Sequence, residues 1–258
     1  MKHVIRRMHY DKRMNEAVAG RRVAFFGGSF DPPHMGHLAV ARAARAALTL
    51  DMVLFAPVGA QPLKPDGAAA SFEDRLEMTR LAIAGEPAFE LSLADAPKPS
   101  AAPNYTLETL LALKTELAPD GILFCLMGAD AFVGLKEWHR AAEIPFVAPL
   151  IVASRPGQPL GGLKAALPKG LTVQGTWNDV PASSEAEVRT WQLHNPAGDA
   201  APLYVLPGLH VDVSATQIRE QVRGIRRHVG AVPDNPEAGS GLLPGAVAEY
   251  IRSHGLYL

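Results

Sequence analysis

Residues 25–37 have the sequence Phe-Phe-Gly-Gly-Ser-Phe-Asp-Pro-Pro-His-Met-Gly-His, and this stretch decides the fold. The residues just before it, 22–26, form a short apolar run that predicts a buried strand. Residues 38–47 are rich in alanine with polar side chains at helical intervals, which predicts a helix. The sequence therefore predicts a strand, a tight loop and a helix N-terminus, where backbone N–H groups attract phosphate.

Two pairs of residues in this loop suit a site for polyphosphate chemistry. Gly27 and Gly28 have no Cβ, so the backbone can approach a ligand closely. His34 and His37 are three residues apart, so on the first turn of a helix they project from one face. The spacing is neither the dinucleotide fingerprint GxGxxG nor the Walker loop GxxxxGK(S/T). A structural turn whose histidines only cap the helix is the simpler alternative.

Length and composition are those of an ordinary globular protein. The chain has 258 residues, of which 48% are hydrophobic and 20% charged. A net charge of −1 gives no overall field that favours nucleic acid or membrane as a partner. The single cysteine, Cys125, excludes an internal disulfide, and its apolar surroundings favour a buried thiol over a nucleophile. No apolar run approaches the roughly 20 residues of a membrane span, and we expect a cytoplasmic protein.

Positive charge is concentrated at the N-terminus. Residues 1–22 contain seven Lys or Arg residues against two acidic ones. We expect residues 1–21 to be a basic, mobile extension and residues 22–258 to form the folded domain. Nucleic-acid binding by the extension is a minority alternative because the segment has few aromatic side chains.

The run from Gly27 to His37 resembles the signature of the nucleotidyltransferase superfamily that carries the His-x-Gly-His motif. Within it, the run most resembles that of the bacterial nicotinate-nucleotide adenylyltransferases, and the resemblance covers residues 22–157 and 203–258. We expect a Rossmann-like α/β fold with an open, mainly parallel sheet, helices on both faces and a C-terminal helical segment. The resemblance implies adenylyl transfer from ATP to nicotinate mononucleotide, giving deamido-NAD and pyrophosphate, with Mg²⁺ as cofactor.

The resemblance assigns the triphosphate to the signature loop and a second loop. It implies catalytic roles for His34 and His37, and ATP binding by Gly27, Gly28, Ser29 and Phe30. Lys64 is the only base in the loop of residues 58–70 and matches a family lysine or arginine by position. A flexible loop with one cation could close over a triphosphate. A solvated surface lysine is the alternative.

A second phosphate-binding helix is predicted near the C-terminus. Residues 212–219, Asp-Val-Ser-Ala-Thr-Gln-Ile-Arg, resemble the family's second signature. Ser214 is a predicted N-cap and Thr216 falls in the first turn, so both are expected to bind ATP. Arg219 can make a bidentate contact with phosphate and is expected to be catalytic. Residues 212–258 form the predicted C-terminal helical part, with Pro244 in the first turn of its last helix.

Gly128 and Asp130 follow the apolar run 121–127, which predicts the central strand. They match the family's Gly-x-Asp element. The resemblance implies that Gly128 lets the nucleotide approach and that Asp130 accepts a hydrogen bond from a ribose hydroxyl. A helix N-cap for residues 131–135 is the alternative role of Asp130.

The acceptor nucleotide is expected to meet four residues. The resemblance places Thr106 near the pyridine ring, with a helix cap as the alternative, and implies that Trp138 stacks on the ring, with a core position as the alternative. The family usually has tyrosine where His139 stands. Arg155, in a Ser-Arg-Pro-Gly run, is expected to touch the acceptor or its phosphate. No metal ligand is predicted.

Several expectations concern the remaining elements. Ser71 is a predicted N-cap for a helix in which Arg75 is taken as structural. An apolar run predicts a strand over 146–153. Residues 158–202 are predicted to be an irregular insertion, with one helix over 184–193, before a last strand at 203–206. A homo-oligomer is left open.

Two other functions compete with this interpretation. The first is the same chemistry on nicotinamide mononucleotide, phosphopantetheine or a cytidylyl-transfer substrate; related pantetheine enzymes tend to have threonine at the His34 position. The second is a non-catalytic nucleotide sensor or RNA-binding module. The predicted enzyme requires His34, His37 and Arg219 to converge on one triphosphate site, and three different cavities would exclude it.

Overall fold

The computed structural model describes residues 20–63, 67–154, 164–174, 188–206, 213–228 and 241–258. The strands are β1 (Arg22–Gly28), β2 (Met52–Pro57), β3 (Phe89–Leu91), β4 (Ile122–Gly128), β5 (Leu150–Ala153), β6 (Thr172–Gln174), β7 (Arg189–His194) and β8 (Ala200–Leu206). The helices are α1 (Met35–Leu48), α2 (Phe72–Ile83), α3 (Thr106–Glu116), α4 (Ala129–Val133), α5 (Ile144–Val147), α6 (Ala215–His228) and α7 (Gly245–Ser253). None of the helices in these ranges is long and apolar enough to span a membrane.

The described strands form one sheet in the order β3-β2-β1-β4-β5-β8-β7-β6. Neighbouring strands from β3 to β8 are parallel, whereas β7 pairs antiparallel with both β8 and β6. The order reverses between β1 and β4, because the chain builds outward in opposite directions from these two strands. Open α/β sheets bind ligands in the crevice at such a reversal, beyond the carboxyl ends of the strands. The predicted Rossmann-like architecture is confirmed.

Strand β1 is buried on both faces and separates two hydrophobic cores. Val23 and Phe25 pack into one core with the apolar faces of α3, α4 and α5. Ala24 and Phe26 pack into the other with α1, α2, α6 and α7. Because successive side chains of a strand alternate between faces, this continuous apolar run supplies both layers. The carboxyl end of β1, at Gly27 and Gly28, lies at the crevice.

The predicted strand over residues 146–153 is wrong in its first half. Residues Ile144–Val147 form the short helix α5, and β5 begins only at Leu150. Pro145 lies in the first turn of α5, where its missing N–H has no helical partner to lose. Apolar composition alone does not distinguish a buried helical turn from a strand, so the proline was the informative residue.

The predicted irregular character of residues 158–202 is also wrong where the structure describes them. Strands β6 and β7 extend the sheet there, and β8 begins at Ala200. The helix predicted over 184–193 conflicts with β7, in which Trp191 and Leu193 are buried while Thr190 and Gln192 are exposed. That period of two is typical of a strand with one covered face.

Candidate active site

A cavity of about 1250 Å³ lies at the reversal of strand order. Its walls come from the loop after β1, the first turn of α1, the start of α4 and the first turn of α6. His34, His37 and Arg219 all line this one cavity. The three side chains therefore meet the condition that the sequence interpretation depends on.

Most of the other predicted site residues line the same cavity. They are Gly27, Gly28, Ser29, Phe30, Thr106, Gly128, Asp130, Trp138, His139, Ser214 and Thr216. Two predicted residues, Lys64 and Arg155, lie outside the described residues. Their roles stay predictions.

His34 and His37 form a compact pair at the start of α1. His34 occupies the N-cap position, and its backbone N–H donates to Nδ1 of His37 at 3.1 Å. The two ring centroids are 3.7 Å apart. His37 thus returns a hydrogen bond to the N-cap as glutamate does in a capping box. The simpler alternative is true in part, since the histidines cap the helix while they also line the cavity.

Burial and the neighbouring ring keep His37 neutral. Desolvation lowers the pKa of His37 well below its usual 6.5, and the charge of His34 lowers it further. In a neutral imidazole whose Nδ1 accepts a hydrogen bond, the proton lies on Nε2. His37 is therefore held as an Nε2–H donor without a positive charge of its own.

Gly36 between the two histidines allows their close approach. A Cβ at this position would lie 2.9 Å from Nδ1 of His34 and 3.0 Å from the Val213 side chain. Val213 immediately precedes Ser214, so the same contact brings the second signature against the first. The glycine of the His-x-Gly-His motif is therefore required for packing of α1 against the residue that precedes the Ser214 cap of α6.

Phe30 packs under the signature loop, on the side of the loop that faces the protein core. Its side chain is buried, and its ring centroid lies 4.9 Å from that of His37 and 5.5 Å from that of Phe26. Its φ of 46° is in the left-handed region that non-glycine residues rarely adopt. Phe30 lines the cavity as predicted for an ATP-binding residue, but its ring has almost no exposed surface. Its structural place is beneath His37.

The start of α6 is built as the second signature predicts. The hydroxyl of Ser214 accepts from the backbone N–H of Gln217 at 3.2 Å and donates to the Gln217 side chain at 3.0 Å. The predicted N-cap is confirmed. One guanidinium nitrogen of Arg219, Nη2, donates to the Thr216 hydroxyl at 3.2 Å, so the arginine side chain lies along the first turn of its own helix. Thr216 and Arg219 thus face the cavity together.

Another wall of the cavity is formed by the start of α3 and the segment after α4. Thr106 is the first residue of α3 and Tyr105 is the N-cap, so the cap alternative for Thr106 is wrong. The ring of His139 lies against that of Tyr105, with centroids 4.4 Å apart and the ring planes tilted by 35°. Trp138 is half-buried against the hydrophobic core and also lines the cavity. Its stacking on the pyridine ring stays a prediction.

Asp130 and Gly128 are located where the central strand meets α4. Gly128 is the N-cap of α4 and Asp130 is the second residue of the helix, so the cap alternative for Asp130 is wrong. Asp130 is exposed and lines the cavity, and its contact with a ribose stays a prediction. A Cβ at Gly128 would have no heavy atom within 4 Å in the described structure, so open space lies beside the backbone.

The similarity to known proteins agrees with this geometry. Residues 25–221 match the family model described as cytidylyltransferase-like. A probable nicotinate-nucleotide adenylyltransferase of Gloeobacter violaceus is 37% identical over 238 residues, which are 92% of this chain and 97% of the relative. One from Laribacter hongkongensis is 37% identical over 237 residues, which are 91% of this chain and 94% of the relative. The chain belongs to the nicotinate-nucleotide adenylyltransferase family.

A solved structure agrees on the fold of this family member. The nicotinic acid mononucleotide adenylyltransferase of Plasmodium falciparum, complexed with NaAD, superposes with a TM-score of 0.62. The match covers 92% of this chain and 97% of that chain at 14% sequence identity. At this identity the likeness concerns the architecture alone.

Asp31 is the site residue of this adenylyltransferase that the sequence interpretation missed. Its buried carboxylate accepts from the backbone N–H groups of Ala69 and Ala70 at 2.7 and 3.1 Å, and from the Tyr257 hydroxyl at 2.7 Å. Its backbone carbonyl accepts from Arg219 at 2.6 Å. A carboxylate inside a phosphate-binding loop repels phosphate unless its charge is neutralised. The presence of an aspartate in a predicted phosphate-binding loop was therefore the sequence signal that Asp31 has other partners.

Arg75 holds the signature loop against the loop after β2. Its buried guanidinium donates to the carbonyl of Ser29 at 2.7 Å and to that of Val58 at 2.9 Å. Burial lowers the pKa of Arg75, and the negative charge of Asp31 opposes that shift. The structural role predicted for Arg75 is confirmed.

Two further buried polar residues lie at the floor of the cavity. Asp95 accepts a hydrogen bond from the Thr109 hydroxyl at 2.5 Å, and burial raises its pKa. Asn104 accepts from the Ala60 N–H at 3.1 Å and donates to the Ala96 carbonyl at 3.0 Å. Both line the cavity. Neither belongs to a motif quoted for chemistry, so only their spatial position identifies them.

Cys125 lies in β4 beneath this floor. Burial, together with the nearby charge of Asp95, raises the pKa of its thiol to about 12. A thiol held protonated in a dry core is not a nucleophile. The prediction of a buried structural cysteine is confirmed.

Proposed function

We propose that this protein transfers the adenylyl group of ATP to the 5′-phosphate of nicotinate mononucleotide, giving deamido-NAD and pyrophosphate. An oxygen of the acceptor phosphate forms a bond to the α-phosphorus of ATP, while the bond from that phosphorus to the bridging oxygen of the β-phosphate breaks. The observation that carries the proposal is the convergence of His34, His37 and Arg219 on one cavity between two helix N-termini.

The nucleophile of this reaction is already an anion, so no strong general base is required. Catalysis then consists of holding the reactants in line and stabilising negative charge on the α-phosphate and the departing pyrophosphate. The Nε2–H of His37 is a donor that does not have to change its protonation state. Arg219 supplies the cationic donor, and we assign His34 and Lys64 as further donors to the phosphates.

The remaining assignments concern binding. We assign the signature glycines, Ser29, Ser214 and Thr216 to the triphosphate, and Gly128 and Asp130 to the ATP side near the ribose. Thr106, Trp138, His139 and Arg155 would hold the acceptor. Stacking of an electron-poor pyridine ring on indole contributes roughly 0.5–1.5 kcal/mol beyond burial, which suits the partly exposed ring of Trp138.

Mg²⁺ is expected to enter as part of the ATP substrate. Mg²⁺ prefers phosphate oxygens and water to a dedicated protein cage. Within the described ranges no group of three or more His, Cys, Asp or Glu side chains is placed to hold a metal ion. Bound to the phosphates, the ion would neutralise part of their charge. We further propose a cytoplasmic location, where ATP is abundant and a lone thiol stays reduced.

Nicotinate mononucleotide is favoured over other acceptors by the relatives. Those that match over nine-tenths of the chain are named nicotinate-nucleotide adenylyltransferases. The family model that matches residues 25–221 is described more broadly as cytidylyltransferase-like, whereas these full-length relatives are named for the nicotinate nucleotide and not for the other acceptors. A non-catalytic sensor is disfavoured because the two histidines and the arginine remain together at the helix N-termini.

The test is pyrophosphate release from ATP with a panel of acceptors. We expect rapid release with nicotinate mononucleotide and at least tenfold slower release with nicotinamide mononucleotide or phosphopantetheine. ATP binding without pyrophosphate release from any acceptor would instead support the sensor. Faster release with a different acceptor would replace the proposed substrate.

A further inference from the structure

The end of the chain reaches back to the signature loop at two points. Tyr257, the penultimate residue, is buried and donates its hydroxyl to Oδ1 of Asp31 at 2.7 Å. The carbonyl of Leu242 accepts from the N–H of Met35, the first residue of α1, at 2.9 Å. Residues 241–258 therefore contact both the middle of the loop and the helix that follows it.

The position of Arg219 depends on which donors bind the Asp31 carboxylate. Nη1 of Arg219 donates to the Asp31 backbone carbonyl at 2.6 Å but lies 3.9 Å from the carboxylate Oδ2. The carboxylate itself is occupied by two backbone N–H groups and the Tyr257 hydroxyl. The arginine is thus anchored beside the carboxylate without the bidentate pair that a free carboxylate favours.

We propose that Tyr257 is a positioning residue that keeps Arg219 available for the phosphates of ATP. By donating a hydrogen bond to Asp31, the tyrosine occupies the acceptor capacity that would otherwise draw the guanidinium out of the cavity. The inference rests on the proposed function, because it gives the freed donors of Arg219 a triphosphate to bind.

If the Tyr257 hydroxyl is removed from the Asp31 carboxylate, Arg219 is the neighbouring cation that can move to take its place. The other cation near Asp31, Arg75, is fixed by its bonds to the Ser29 and Val58 carbonyls. Burial and the charge of Asp31 raise the pKa of Tyr257, so the phenol stays protonated and remains a donor at working pH. Loss of the hydroxyl would leave Oδ1 with the Ala70 N–H alone among the described donors.

The experiment compares Tyr257→Phe with the matched variant Tyr250→Phe. Tyr250 also donates its hydroxyl to an aspartate, Asp74, at 3.0 Å, but it is not part of the cavity lining. For Tyr257→Phe we expect about tenfold weaker ATP binding in calorimetry, the cost of a disturbed charged hydrogen bond, and a matching rise in KM for ATP. The KM for nicotinate mononucleotide should stay unchanged, and Tyr250→Phe should behave as the wild type.

A double-mutant cycle separates the interaction between Tyr257 and Asp31 from any general effect of the substitution on folding. In an Asp31→Asn background no carboxylate charge attracts Arg219, so Tyr257→Phe should cause no further loss of ATP affinity. Additive losses, wild-type ATP affinity in Tyr257→Phe, or equal losses with Tyr250→Phe would each overturn the positioning role. Failure of the wild type to release pyrophosphate would count against the proposed function, whereas the calorimetric comparison does not depend on turnover.

Discussion

His37 has the fixed orientation that its proposed role as a donor to phosphate needs. Its Nδ1 is occupied by the His34 N–H, and its ring is wedged between His34 and Phe30, so its direction is fixed. We predict that His37→Ala lowers kcat by at least about 100-fold, as for the loss of a preorganised donor. The matched control is His254→Ala, which changes an exposed histidine at the end of α7. Near-normal turnover of His37→Ala in a steady-state assay would contradict the mechanism.

The depressed pKa of His37 also predicts how stability depends on pH. The unfolded chain protonates this histidine below about pH 6.5, whereas burial keeps it neutral in the folded protein. Stability should therefore fall as the pH drops below that value. Urea unfolding at pH 7.5 and 5.5 should show a larger loss for the wild type than for His37→Gln. An equal loss in both proteins would show that His37 does not titrate as described.

Individual side chains show where the sequence was informative. The histidines, Arg219 and Ser214 could be predicted because each belongs to a motif whose chemistry has a fixed spacing. Asp31 lies in the same motif, yet its role depends on Tyr257 and Arg219, which are distant in sequence. The sequence predicted that Phe30 belongs to the loop, but not that its ring is buried. That burial results from packing against three other rings, which the sequence alone does not specify.

The contact between α1 and Val213, just before α6, depends on one small residue. A Cβ at Gly36 would press on the His34 ring at 2.9 Å and on Val213 at 3.0 Å. We predict that Gly36→Ala lowers kcat/KM by at least about tenfold, because small misplacements of catalytic groups are costly. Gly224→Ala on α6 is the matched control, because a Cβ there would have no heavy atom of the described residues within 4 Å. It should raise the unfolding free energy by up to about 1 kcal/mol.

The outcome for this pair is measured by steady-state kinetics and thermal unfolding. Wild-type kcat/KM in Gly36→Ala would show that the motif glycine is not needed for the placement of His34. A loss of activity in Gly224→Ala as large as that in Gly36→Ala would show that the effect comes from α6 in general.

Helices and strands with strong local sequence signals were predictable. Elements whose type depends on their place in the fold were not. β1, β4 and the Ser71 cap of α2 follow from apolar runs and a capping residue. The alternation of Trp191 and Leu193 was a strand signal that the surrounding polar and proline-rich sequence obscured. The boundary between α5 and β5 depended on Pro145, since apolar composition suits both a buried helix and a buried strand.

At the scale of the whole molecule, the cavity joins parts of the chain that are distant in sequence. Arg219 and Asp31 are 188 residues apart, and their contact forms when α6 packs beside the signature loop. No local pattern specifies that closure, which is why the sequence indicated the two signatures but not the Asp31 junction between them. Occupation of the cavity by ATP should therefore stabilise the whole fold.

We predict that ATP at a hundred times its Kd raises the free energy of unfolding by about 2.7 kcal/mol. Arg219→Ala should lose most of this gain at the same ATP concentration, because a cationic donor to the phosphates is gone. Arg252→Ala on α7, whose partner is the exposed Glu249, is the control that should keep it. Thermal unfolding with and without ATP measures the difference, and an equal gain in all three proteins would contradict the role of Arg219.

Transfer of the α-phosphate itself is followed with ATP labelled at the α-phosphorus. Incubation of the wild-type protein with this ATP and nicotinate mononucleotide should place the label in deamido-NAD, with none on the protein after quenching. Label retained on the protein, or unlabelled nucleotide product formed alongside labelled phosphate, would contradict direct adenylyl transfer at this site.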